Sequence, residues 1–106
     1  MKRLLDAILV VDVESTCWEG SPPPHQTSEI IEIGLCTLDR TTLTRTQKRS
    51  ILVKPVQSQI SDFCTQLTTL TPDMFTNAGS LAEAVNTLKS EYRSKERLWA
   101  SWGDYD

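Results

Sequence analysis

The chain has 106 residues, enough for one domain with a modest core and too few for two. Its 39% apolar and 24% charged residues, with four Gly and five Pro, exclude a disordered or fibrous chain. A net charge of -3 excludes a globally basic nucleic-acid binder, so attraction to phosphate has to come from a local patch.

The segment MKRLLDAILVVDVE opens like a secretory leader, but Asp6 interrupts the apolar run and Asp12 and Glu14 end it. Neither a leader nor a membrane span is expected. Cys17, Cys36 and Cys64 are odd in number and far apart, against both a disulfide framework and a structural zinc site. A reducing, cytoplasmic location is the expectation.

Residues 7–13 are almost continuously apolar and β-branched, which predicts a central strand covered on both faces. EGSPPPHQTS follows, and its three consecutive prolines mark an exposed loop. Residues 29–38, EIIEIGLCTL, read as a second strand and residues 47–53 as a third, joined by the polar turn DRTTLTRT. Between Arg40 and Lys54 lie five basic residues (Arg40, Arg45, Lys48, Arg49, Lys54) and no acid. They form either a solvated hairpin or a phosphate-contacting surface.

Ser61 is an N-cap for a short helix in SDFCTQL, and Pro72 takes the first helical position in TPDMF. Ser80 and Glu83 make a capping box that opens SLAEAVNTLKSEY, with Leu81, Val85 (with Ala84), Leu88 and Tyr92 on one face. LWASW then reads as a fourth strand, able to return parallel to the first. The sequence closes on GDYD. Three strands, small helical turns, one amphipathic helix and a last strand make a mixed α/β fold.

Asp12 and Glu14 are two apart in a strand, so they project from one face while Val13 packs on the other. Two converging carboxylates repel each other unless one is protonated or a cation lies between them, and all-oxygen sites suit magnesium or manganese. The alternative is a pair of solvated acids that solubilise the strand end. Glu32, inside an apolar strand, calls for a structural hydrogen bond or an edge position. Trp18 is read as covering the first strand rather than stacking on a base, and Trp99 and Trp102 as core residues beside the fourth.

VVDVESTCWEG, EIIEIGLCTLD, VKPVQSQISDFCTQLTTLTPDMF and SWGDYD, in that order, resemble the DEDDh (DnaQ-like) 3'-5' exonucleases. The likeness is closer to the branch with histone-mRNA 3'-end exonucleases and bacterial KapD-like proteins. The resemblance implies an RNase H-like mixed sheet with flanking helices and a two-metal site, magnesium or manganese, that hydrolyses phosphodiester bonds. The implied partners are single-stranded 3' ends of RNA or DNA, RNA favoured. It further implies that Asp12, Glu14 and Asp106 are metal-binding catalytic acids, with Asp104 the competitor for the third position. Ser15 and Thr16 would lie where the backbone meets the terminal nucleotide, and Leu70 where an apolar wedge meets the last base. The family more often has Gly where this chain has Thr69.

The family's last motif, a histidine followed by an aspartate, has no counterpart, and the only histidine, His25, lies in the Pro-rich loop. Residues 1–106 are therefore expected to be a C-terminally truncated, partial exonuclease domain, weakly active or inactive, with one sheet face exposed. The competing expectations are a non-catalytic module that binds nucleic acid or protein through the basic hairpin, and a DNA proofreading exonuclease.

Overall fold

A computed structural model describes residues 3–101. Strands β1 (Ala7–Ser15), β2 (Ile30–Asp39) and β3 (Arg45–Leu52) are followed by helix α1 (Asp62–Thr68), a 3-10 turn (Pro72–Phe75), helix α2 (Leu81–Glu91) and strand β4 (Leu98–Ala100). The sheet order is β3-β2-β1-β4, antiparallel except for β1 and β4, which pair in parallel. The element order and the parallel return of the last strand agree with the sequence reading, and strand limits differ by one or two residues, β1 running on through Glu14 to Ser15.

Alternation along β1 and β2 decides where the core lies. Leu9, Val11, Ile33 and Leu35 point to one side, where they pack with Val53 and with Ala84, Leu88 and Tyr92 from the α2 segment. Fully burying one such side chain contributes about 1.5–3 kcal/mol. The capping box forms as expected: Ser80 Oγ accepts from the Glu83 N–H at 3.1 Å, and Glu83 Oε1 accepts from the Ser80 N–H at 3.1 Å. Ala84, Leu88 and Tyr92, expected on the buried face, enter the core, whereas Leu81, in the first turn of α2, is 47% exposed.

A second cluster, Ile31, Cys64, Leu70 and Phe75, closes the far end of the sheet. It is reached through a bulge: Glu14 pairs with Glu32 but Ser15 pairs with Ile30, so Ile31 is the extra residue. α1 docks there, with Ser61 Oγ accepting from the Cys64 N–H at 3.0 Å and donating to the Cys17 carbonyl at 2.7 Å. The helix ends on Thr69, whose φ of 68° and ψ of 4° are left-handed, and whose N–H reaches Thr65 O at 2.8 Å. The backbone keeps the geometry a glycine would take, at a cost of about 1–2 kcal/mol for an L-residue.

Two expectations need correction. The other face of β1 is not covered among the described residues: Ile8 and Val10 are half-buried and Asp12 is exposed. The second change concerns Trp99, which is 49% exposed and bonds Ser94 O through Nε1 at 2.8 Å instead of entering the core, because β4 is a three-residue edge strand exposed throughout. Trp102 lies outside the described residues, and Trp18 is half-buried.

Candidate active site

β1 brings Asp12 and Glu14 to the same, open face of the sheet near its C-terminal end. Gly34 stands opposite Asp12 in the ladder, so no side chain of β2 faces that carboxylate directly. Glu32 stands opposite Glu14, a like-charge pairing that is unfavourable in an antiparallel ladder. The strain is eased sideways: Ser50 Oγ on β3 donates to Glu32 Oε2 at 2.6 Å. That is the structural hydrogen bond the sequence calls for at Glu32.

Immediately after the two acids the chain is locked by a network that the sequence pattern does not reveal. Thr16 is fully buried. Its N–H donates to Glu29 O at 2.8 Å, its Oγ1 accepts from the Glu29 N–H at 2.9 Å and lies within hydrogen-bond distance, 3.0 Å, of Ser58 Oγ, and its carbonyl accepts from Ser28 Oγ at 2.7 Å. The Glu29 carboxylate accepts from the N–H of Val56 (3.0 Å) and Gln57 (2.8 Å) and from Ser58 Oγ (2.6 Å). Burial desolvates Glu29 and works against its charge, but these donors prevail and hold its pKa below the ordinary 4.5. Glu29 and Ser58 are thus the positioning residues that sequence reasoning missed; their partners lie 13 to 42 positions away, where no periodicity can register them.

Ser15 is half-buried, and its carbonyl accepts from the Cys64 thiol at 3.6 Å. Next to it the Cys17 thiol is pushed up to about 11, first by desolvation and then by its bond with Cys64. Leu70, 5% exposed, is packed with Ile31, Cys64 and Phe75. His25 is exposed in the loop with φ 64°. Asp104 and Asp106 lie outside the described residues, among which no three His, Cys, Asp or Glu side chains gather into a metal cluster. Two carboxylates on one open face do supply the hard oxygen donors that magnesium or manganese takes, so the residues present fit part of such a site.

An antiparallel three-strand meander joined by a parallel fourth strand, with paired acids on its central strand, is the start of an RNase H-like nuclease fold. Residues 9–101 match the family model described as Exonuclease, and the chain belongs to that family. It is 34% identical over 92 residues to human 3'-5' exoribonuclease 1, covering 86% of this chain and 26% of that protein. The chain therefore spans about a quarter of the length of that relative. A solved 3'-exonuclease structure that shows 3'-end-specific recognition of the histone mRNA stem-loop superposes with a TM-score of 0.83 at 29% identity, covering 99% of this chain and 38% of that one. The nuclease domain of 3'hExo, a DEDDh family member bound to rAMP, superposes at 0.76 with 29% identity, covering 95% of this chain and 52% of that one. No helix among the described residues is long and apolar enough to cross a membrane.

Proposed function

We propose that the chain is the first part of a metal-dependent 3'-5' exonuclease domain that removes nucleotides from single-stranded 3' ends, RNA favoured. The observation that carries this reading is the projection of Asp12 and Glu14 from one open face of the central strand, inside the segment matched to the exonuclease family. Asp12, Glu14 and Asp106 hold the divalent cations in this reading. Magnesium or manganese, held there by these carboxylates, would supply Lewis-acid activation of water and charge neutralisation at the phosphate.

The chain's own residues orient and support. Ser15 and Thr16 meet the terminal nucleotide through their backbone in this reading, the Thr16 side chain being buried, and Leu70 is the apolar wedge against the last base. The general base and a fourth acid come from the histidine and aspartate of the last motif, for which residues 1–106 offer no counterpart. Cytoplasmic residence is part of the same proposal, supported by three free cysteines.

The test is degradation of a 5'-labelled single-stranded RNA in manganese by the protein extended through that histidine, compared with residues 1–106 and with Asp12→Asn. The reading expects activity only in the extended, unsubstituted form. Robust activity in Asp12→Asn would overturn the site. Binding of RNA with no activity in any form would favour the non-catalytic module, and equal turnover of DNA would remove the preference for RNA.

A further inference from the structure

Three consecutive carbonyls at the end of β1 each accept a hydrogen bond from a different side chain. Ser15 O takes the Cys64 thiol at 3.6 Å, Thr16 O takes Ser28 Oγ at 2.7 Å and Cys17 O takes Ser61 Oγ at 2.7 Å. None of these three donors is backbone.

Their directions follow from the extended chain. In a strand the N–H and C=O of one residue point to one side and those of the next residue to the other. Thr16 turns both toward the start of β2, where its N–H meets Glu29 O at 2.8 Å and its carbonyl meets Ser28. Ser15 and Cys17 turn their carbonyls the opposite way, and there the first turn of α1 supplies the donors. A helix thus gives from its side chains what a neighbouring strand would give from its backbone. Ser61 is itself held in place, because its Oγ also accepts from the Cys64 N–H at 3.0 Å as the N-cap. One hydroxyl caps α1 and holds Cys17.

A peptide unit is planar, so holding the carbonyls of residues 15–17 also sets the N–H directions of Thr16, Cys17 and Trp18. The setting is complete within the described residues. Thr16 and Cys64 are both 0% exposed, and Ile31, Leu70 and Phe75 pack around Cys64. Glu14 lies one residue before the first of the held carbonyls, so the fixed backbone begins where the paired acids end.

We propose that Ser28, Ser61 and Cys64 are positioning residues of the exonuclease site, fixing the backbone of residues 15–17 in the orientation that meets the terminal nucleotide before that nucleotide binds. The inference rests on the exonuclease reading and names what holds its nucleotide contact. None of the three side chains acts on the reacting atoms; each acts through a carbonyl, and the gain is that the contact is ordered in advance of binding.

The experiment measures kcat and KM on a 5'-labelled single-stranded RNA in manganese, with the protein extended through the histidine of the last motif, beside urea midpoints of the same variants. Ser61→Gly removes the donor to Cys17 O while keeping a residue that tolerates the N-cap position, and Ser28→Ala removes the donor to Thr16 O from an exposed residue. A misplacement of about 1 Å costs roughly a hundredfold in rate, so a backbone freed at one of three points is expected to lose about tenfold in kcat. Ser61→Thr and Ser28→Thr, which keep the hydroxyl, are expected to restore it. Ser90→Ala, which removes a like hydroxyl bond to Asn86 O on α2, is expected to keep the parental kcat. A purely structural role would lower the urea midpoint and leave the kcat of the folded protein unchanged. Parental kcat in Ser61→Gly and Ser28→Ala beside an active parent, or a loss that Thr does not restore, would defeat this inference alone. An extended, unsubstituted protein that degrades no RNA would defeat the exonuclease reading, and this inference with it.

Discussion

Replacing Thr16 by Val removes one hydroxyl from a fully buried site and keeps the side-chain shape. The Glu29 N–H, which donates to Thr16 Oγ1 at 2.9 Å, is then left without its acceptor, whereas Ser58 Oγ keeps Glu29 Oε1 at 2.6 Å. One orphaned buried donor costs about 1–3 kcal/mol. For a domain of this size a loss of about 2 kcal/mol moves the urea midpoint by about 1–2 M, at a slope in the lower part of the 1–3 kcal/mol/M range. Thr16→Ser keeps the hydroxyl and gives up one methyl, about 1 kcal/mol. Urea titrations by circular dichroism on the three proteins therefore separate hydrogen bonding from packing. Equal losses in the Val and Ser variants, or a Val variant as stable as the parent, would refute the lock.

Glu29 has a lowered pKa, so its contribution to stability is fully present above its ordinary value of 4.5 and is lost as pH falls through the folded value; Glu29→Gln should flatten this acid limb in denaturation curves taken between neutral and acid pH. Thr69→Gly should stabilise the chain by about 1 kcal/mol, read as a higher urea midpoint, by relieving the left-handed Thr. In the proposed site Asp12 is a direct ligand, so Asp12→Asn should weaken manganese binding at least about tenfold by electron paramagnetic resonance, losing no less than an outer-shell partner would cost.

Much of the sheet was legible because its information is local. The apolar run of β1, the capping box at Ser80 and the N-cap at Ser61 each depend on neighbours a few residues away, and each is found where the pattern puts it. The two acids were legible for the same reason, since period two alone places Asp12 and Glu14 on one face. What escaped was long-range or irregular. The clamp of Glu29 on residues 56–58 joins separate loops, and the bulges at Ile31 and Gln47 break the period on which strand reading relies. Trp99 escaped differently: aromatic size suggested burial, but an exposed edge strand gives it only an indole bond to Ser94 O.

The sheet also explains why two acids can stand at the end of an apolar strand. β1 gives its odd-numbered residues, Leu9 and Val11, to α2, and that demand is met within residues 3–101. Its even-numbered face begins apolar, with half-buried Ile8 and Val10, and turns acidic at Asp12. If those acids served only to solubilise the strand, the neighbouring strand could carry any polar side chain beside them. Instead β2 places Gly34 opposite Asp12, and Ser50 of β3 draws the Glu32 carboxylate sideways, away from Glu14. The bulge at Ile31 then leads the chain into a network that fixes Thr16 two residues beyond Glu14.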